Sequence, residues 1–314
     1  VSGAEQSGHL PLAEGAEFDL VRTLLFEWGT RARGIGDDAA VLDVPAGERL
    51  VASTDASVEG VHFRRDWLSP EEIGGRAAAA ALSDLAAMAA TPLGMLLALG
   101  LPGAWREDVR EIARGIGAMA ERCGCPIVGG NLSRATELSL TVTVLGGARR
   151  PLRRSGARPG DTLYVTGRLG GPGAALRALQ SGSAPSRADM LRFAAPVPRL
   201  REARWLAERG AHAAVDISDG LLADAAHVAR ASAVTLEIDL AGVPRVDRVS
   251  PEESATSGEE YELLVAMPAA VDVPAFVSRF GCDLTVIGRV KPFDGESVRV
   301  DGRPAHRQGH DHFG

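Results

Sequence analysis

Lysine is almost absent from this chain of 314 residues: Lys291 is the only one among 34 basic residues. No G-x-x-x-x-G-K-[ST] pattern occurs either, which excludes P-loop phosphate binding. Any phosphate chemistry must therefore rest on arginine, backbone amides and metal. Apolar runs are short, and none approaches the roughly 20 residues that a membrane-spanning helix needs. Cysteine is scarce too. Cys123 and Cys125 form a lone C-x-C and Cys282 stands apart, so a structural or incidental role is expected rather than a metal or redox cluster. Residues 1–17 lack the basic start and apolar stretch of a secretion signal, and the cytoplasm is the expected compartment. A net charge of −7, with no basic stripe interleaved with aromatics, argues against a broad nucleic-acid surface. The 45% hydrophobic and 24% charged content is ordinary for a globular chain, and the length allows two domains with separate cores.

Phe18, Leu20, Val21, Leu24 and Leu25 recur at helical spacing before Gly29 stops the pattern. Short strands are expected at 39–44 and 49–54, separated by a Pro45-Ala46-Gly47 turn, with a further one at 58–63. Ser69, Pro70 and Glu72 mark a helix start, and that helix is expected to run to about residue 90. A strand at 95–101, an amphipathic helix at 107–122 and strands at 127–128 and 138–145 complete the first half. Residues 146–161, with five arginines and two prolines, mark a junction, so the expected domains are 1–148 and 149–314. Strands at 162–166, 213–217, 234–239, 262–267 and 284–290 alternate with helical segments in the second half. Both halves read as mixed α/β or α+β.

Aspartates recur at the ends of expected strands or beside glycine: Gly36-Asp37-Asp38, Ser53-Thr54-Asp55, and Asp216-Ile217-Ser218-Asp219-Gly220. Turn and helix-cap chemistry explains any one of these as well as function does. Asp84 is different, because its helical neighbours at three and four positions are Ala80, Ala81, Ala87 and Met88. Either a solvated face holds it, or a cation partners a buried carboxylate. Two carboxylates 4 Å apart repel by about 4 kcal/mol at an effective dielectric near 20, so converging ones need metal. All-oxygen ligation suits Mg²⁺ shared with substrate phosphates. Residues 127–133, with Gly129, Gly130 and Asn131, read as a strand ending in a loop that lets backbone approach a phosphate. Gly167 to Gly173 is a second such signal, or an ordinary glycine turn. Arg153 and Arg154 are candidates to grip phosphate oxygens, or a solvated linker.

The ordered set of motifs resembles the thiamine-monophosphate kinase family. It comprises G-I-G-D-D-A-A from Gly34, S-T-D-A-S-V-E-G-V-H-F from Ser53, L-S-D-L-A-A-M-A-A from Leu82 and G-G-N from Gly129. R-S-G-A-R-P-G-D from Arg154, D-I-S-D-G-L from Asp216, S-G-E-E-Y-E-L from Ser257 and the closing D-H-F from Asp311 complete it. The likeness runs from Phe18 to Phe313. It implies a two-domain aminoimidazole-ribotide-synthetase-like fold, whose N-terminal sheet forms the core of a homodimer and whose C-terminal domain is α+β. The implied reaction is direct transfer of phosphoryl from ATP to thiamine monophosphate, giving thiamine diphosphate. By matched motif, Asp37, Thr54, Asp55, Asp84, Asn131, Asp216 and Asp219 would hold several Mg²⁺ ions. Gly130, Asn131, Arg154 and Ser218 would meet ATP, and His62, Glu259, Glu260 and Phe313 would lie towards the acceptor. No enzyme nucleophile is implied.

Three positions depart from the family pattern. Asn131 stands where an aspartate is common, Glu260 replaces a common aspartate, and His310 replaces an aromatic. Asn131 brings no negative charge, so a weaker hold on magnesium is expected there. His306, His310 and His312 form an alternative zinc reading that Gly309 disfavours. Rival functions are another enzyme of the superfamily, such as a selenophosphate synthetase, and a nonenzymatic nucleotide and magnesium binder. The chain has no N-terminal cysteine of the selenium type.

Overall fold

The computed structural model describes Leu12 and residues 14–305. Phe313, His306, His310 and His312 lie outside the described residues. The chain divides into two compact units, Val1–Leu85 with Ala90–Arg150 and Ala86–Ala89 with Pro151–Gly314.

In the first unit the apolar spacing after Gly15 forms α1 (Ala16–Trp28), which buries Leu24 and Trp28. A four-stranded sheet follows, built from β1 (Arg49–Val58), β2 (Thr91–Leu101), β3 (Ile127–Arg134) and β4 (Ser139–Ala148) in the order β1-β4-β2-β3. Only β2 and β3 run parallel. Helix α2 (Pro70–Ala87) starts where the cap residues place it. Glu72 N donates to Ser69 Oγ at 3.3 Å and Ser69 N donates to the Glu72 carboxylate at 2.8 Å. Such a reciprocal cap contributes about 1 kcal/mol. Helix α3 (Val109–Cys123) crosses α2 at backbone contact: a Cβ on Gly115 would meet Glu71 O at 1.9 Å, and one on Gly74 would meet Ile112 O at 2.2 Å. Glycine is required at this crossing because no side chain fits between the helices.

Strand alternation sorts the sheet's two faces. Leu140, Val142 and Val144 of β4 are buried with Leu82, Leu85, Leu97 and Leu99. On β1, Leu50, Ala52, Thr54 and Ala56 point to the other face and are exposed, whereas Val51 is buried.

Three expectations need correcting here. Residues 39–44 form no strand, because they have no ladder partner and Val41 is 94% exposed. Val58 is the last residue of β1, and the stretch from there to Phe63 is a tight turn rather than a further strand: Gly60 takes φ 82° and its N–H donates to Phe63 O at 2.8 Å. The 127–133 segment does not open into a loop at its glycines, since β3 continues through them. Gly130 serves close strand approach, and a Cβ there would lie 2.0 Å from Leu97 O.

The second unit holds β5 (Thr162–Thr166), α4 (Gly171–Gln180), α5 (Arg187–Ala194), α6 (Leu200–Glu208), β6 (Ala213–Asp216), α7 (Leu221–Ser232), β7 (Val234–Ile238), α8 (Pro251–Thr256), β8 (Leu263–Met267), α9 (Val273–Phe280) and β9 (Leu284–Pro292). Two short strands the sequence did not announce, β10 (Val298–Val300) and β11 (Arg303–Pro304), close the seven-stranded sheet, ordered β11-β10-β7-β9-β5-β8-β6. Leu163, Val165, Val215, Leu236, Leu264 and Ile287 from its strands pack with Leu221, Ala225, Val228 and Ala229 of α7. This packing fixes the β6–α7 turn that carries Asp216 and Asp219.

Candidate functional site

In the first unit, Asp55 and Asp84 lie on facing sides of β1 and α2. Ser53 and Asp55 share the face of β1 that meets α2, and Ser53 Oγ donates to Asp84 Oδ2 at 2.5 Å. Asp84 is half-buried, and one of its partners comes from the sheet. Asp55 lies in the row of Val142, Leu97 and Gly130. Asp37 is exposed in the turn after Gly36, where its Oδ1 accepts Asp38 N at 2.9 Å.

Thr54 and Asn131 are not brought to this group. Thr54 points to the opposite face and hydrogen-bonds Thr143 Oγ1 at 3.0 Å. Asn131 lies in the row of Ala56, Thr141 and Ala98, also on the opposite face. It sits on the far edge strand, three strand spacings or about 14 Å from β1. Within one chain, Asn131 and Asp55 cannot ligate one ion.

His62 is half-buried in the 58–63 turn. Its Nδ1 accepts Val58 N at 3.2 Å, and Arg76 Nη1 donates to its carbonyl at 3.2 Å. An accepting Nδ1 assigns the proton of the neutral ring to Nε2, which is then a hydrogen-bond donor. The turn is braced by Glu59, whose Oε2 accepts Trp105 Nε1 at 2.8 Å.

In the second unit, Asp216 ends β6 at 4% exposure, and Ser218 and Asp219 follow half-buried in the turn. Asp224, in the first turn of α7, completes the group. Its Oδ2 accepts Ser218 N at 3.0 Å and Asp219 N at 3.1 Å. Burial, then the charges of Asp216 and Asp219, raise the Asp224 carboxyl to about 7. Ligand atoms of Asp219, Asp224 and His227 lie within 4.8 Å of one another. Mutually repelling carboxylates of this kind fit a hard divalent cation, which would offset the repulsion that opposes the charge on Asp224. Asp224 and Ser53 are not among the residues the motifs single out. An acidic residue in the first turn after D-x-x-D-G was the available signal for the first, and the second had only its place beside Thr54-Asp55. The exposed Arg154 keeps its side chain in solvent while its carbonyl accepts Ser232 Oγ at 2.8 Å.

The 257–262 loop runs alongside this turn. Glu259 N donates to Ser218 O at 2.6 Å and Tyr261 N to Ile217 O at 2.9 Å. Glu259 and Tyr261 hold left-handed φ values of 60° and 52°, a strain on the order of 1 kcal/mol each. Glu260, expected on the acceptor side, is instead buried at 4% exposure. Its Oε1 accepts Gly170 N at 2.6 Å and Ser257 Oγ at 2.5 Å. Gly173 N donates to Ser257 Oγ at 3.1 Å. The glycine run leading into α4 thus spends its amides on the protein's own side chains, and the phosphate reading of that run gives way to the turn reading. The physical reason is local: free amides at a helix start attract the nearest carboxylate. Burial raises the Glu260 carboxyl to about 8, against the lowering effects of Ser257, Gly170 and Arg192.

The cysteines carry no such chemistry. All three are free, and burial pushes Cys125 and Cys282 up to about 12, which keeps them as thiols.

Residues 36–148 match the family described as AIR synthase related protein, N-terminal domain, and residues 158–301 match the corresponding C-terminal domain. Thiamine-monophosphate kinase of Salmonella typhimurium (strain LT2) is 35% identical over 318 residues, covering 94% of this chain and 95% of that protein. The crystal structure of thiamine-monophosphate kinase from Stenotrophomonas maltophilia K279a superposes with a TM-score of 0.81 at 36% identity, over 94% of this chain and 98% of that one. A structure of AaThiL complexed with AMPPCP and TMP gives a TM-score of 0.77 at 31% identity, over 97% of this chain and 99% of that one.

Proposed function

The chain belongs to the AIR synthase related family and, within it, to the thiamine-monophosphate kinases, and from that premise we propose a magnesium-dependent, in-line transfer of the γ-phosphoryl group of ATP to thiamine monophosphate. A terminal phosphate oxygen of the acceptor attacks the γ-phosphorus, the bond to the β-γ bridging oxygen breaks, and ADP and thiamine diphosphate leave. A phosphate monoester is already nucleophilic at neutral pH, so no general base is assigned. The observation that carries this reading is the acidic turn after β6, where Asp216, Asp219 and the buried Asp224 crowd together and, among the described residues, no arginine is seen hydrogen-bonded to Asp224.

We assign magnesium to two groups, one in each unit: Asp37, Asp55 and Asp84, with Ser53 orienting Asp84, and Asp216 with Asp219, supported by Asp224. When bound, the ions supply charge neutralisation between two anionic reactants. Thr54 and Asn131 are left out because their register puts them on the sheet's other face. The chain's own residues do the positioning. His62 offers an Nε2–H to the acceptor, and Arg154 offers an exposed cation to the nucleotide phosphates, with Gly130 and Ser218 on the nucleotide side. Glu259 remains an acceptor-side assignment, whereas Glu260 is structural.

The outer face of the first sheet, which exposes Leu50 (53%), Ala52 and Ala56 among threonines, is assigned to a second copy of the chain. No helix among the described residues is long and apolar enough to cross a membrane, and the reading places the enzyme in the cytoplasm. The test is a coupled ADP-release assay with ATP, magnesium and thiamine monophosphate, with thiamine and aminoimidazole ribotide precursors as controls. ADP release with thiamine or a precursor, and none with thiamine monophosphate, would sink the proposed acceptor.

A further inference from the structure

One buried ion pair in the second unit has no part in the chemistry above. Glu262 is 2% exposed, and both its oxygens are engaged. Oε2 accepts Thr166 Oγ1 at 2.7 Å and Arg199 Nε at 2.7 Å, while Oε1 accepts Arg199 Nη2 at 2.6 Å. Thr166 Oγ1 also accepts Leu263 N at 2.8 Å, which ties the pair to the first residue of β8. Burial works against the charge on Arg199, but Glu262, by hydrogen bond and charge, together with Cys282 and Glu202 offsets this, and its pKa lies above the ordinary guanidinium value. A bidentate guanidinium–carboxylate fork fixes orientation as well as distance.

Such a pair is weak evidence for stability, because apolar residues of the same volume usually stabilise a core as well or better. Its geometry is more informative. Glu262 anchors the end of a loop in which Glu259 and Tyr261 are both left-handed, and whose other buried acid, Glu260, accepts from Gly170 and Ser257; Arg192 Nη2 lies 3.7 Å from Glu260 and 3.5 Å from Glu262. The backbone between these anchors holds the acidic turn: Ile217 N donates to Glu262 O at 2.7 Å, Tyr261 N to Ile217 O at 2.9 Å, and Glu259 N to Ser218 O at 2.6 Å. Gly258 is pressed so close that a Cβ would lie 2.7 Å from Ser218 O. Two strained residues persist only where their surroundings over-determine them, and the two side-chain anchors do so here.

We infer that Glu262, Arg199 and Thr166 are positioning residues, which hold the 257–262 loop in its strained form and through it set the Ser218–Asp219 turn. The bearing on catalysis rests on the kinase reading, whereas the mechanical coupling does not. The test uses Glu262→Gln, Arg199→Lys and Thr166→Val in the full chain, first by hydrogen exchange without ligand. The expected result is at least about tenfold faster exchange in segments 215–221 and 257–263, with the amides of β9 unchanged. In the ADP-release assay, kcat falls about tenfold or more while the KM for ATP moves less than about threefold. Unchanged exchange at 215–221, or equal acceleration across the whole unit, overturns the coupling and leaves the pair a stability element. Faster exchange with unchanged kcat overturns the catalytic bearing. Wild-type chain that releases no ADP with thiamine monophosphate sinks the kinase reading alone, and the exchange arm still decides the coupling. Should Glu262→Gln fail to fold, the two milder variants carry the same measurements.

Discussion

Ser53 Oγ lies 2.5 Å from Asp84 Oδ2, joining the first sheet to the helix above it at the point where the helix carries its only carboxylate beyond the first turn. Asp84→Asn keeps the shape and the hydroxyl contact but removes the charge. The fold is expected to persist while phosphoryl transfer falls on the order of 100-fold. Ser53→Ala should raise the magnesium needed for half-maximal activity by a few-fold only. ADP release titrated with magnesium, alongside thermal unfolding, measures both. Unchanged turnover of Asp84→Asn at limiting magnesium would remove Asp84 from the site.

His62→Ala is expected to raise the KM for thiamine monophosphate about tenfold or more and that for ATP much less, because the ring is assigned to the acceptor. Its Nδ1 is already occupied by Val58 N–H, so the loss falls on the Nε2 side. Steady-state kinetics with each substrate varied in turn is the measurement. Equal rises in the two constants would contradict the assignment.

The Glu260 carboxyl titrates at about 8 in the folded chain, where burial raises it, and near 4.3 when unfolded. Between those values the folded state binds more protons than the unfolded one, so this group's contribution to stability is full below about pH 4 and is lost as pH rises through 8. The unfolding temperature of the wild type should therefore decline from pH 5 to pH 9 more steeply than that of Glu260→Gln, which cannot ionise. Parallel pH profiles for the two proteins would show that Glu260 is charged throughout.

Gly115→Ala sets two effects against each other. Helix propensity alone favours alanine by about 0.8–1 kcal/mol. A Cβ 1.9 Å from Glu71 O, however, must push two helices apart, which costs about 1–3 kcal/mol. The clash should win, lowering the temperature of the unfolding transition that includes the first unit by a few degrees. A higher unfolding temperature would mean that α2 and α3 are not in backbone contact.

Where a feature depends on neighbours in the chain, the sequence by itself determined it. Ser69, Pro70 and Glu72 started α2 because a capping box needs only three residues of reach, and the apolar run from Thr162 formed β5 where it was expected. The acidic turn at Asp216 and Asp219 was legible for the same reason, since strand ends and glycine turns are local signals, whereas Asp55, expected just past a strand end, lies inside β1. Pairing, register and burial are not local, and only the tertiary structure decided them. Residues 39–44 have strand composition but no ladder partner, so they stay outside the sheet, most of them exposed. Thr54 and Asp55 are adjacent in sequence, yet the two-residue period of a strand sends them to opposite faces, and the sheet order puts Asn131 on the far edge. Glu260 looked like an exposed ligand in an acidic run until the fold brought the amide of Gly170, 90 residues away, to its carboxylate. A buried charge is committed by whatever the chain folds against it, and that lies beyond the reach of any short stretch of residues.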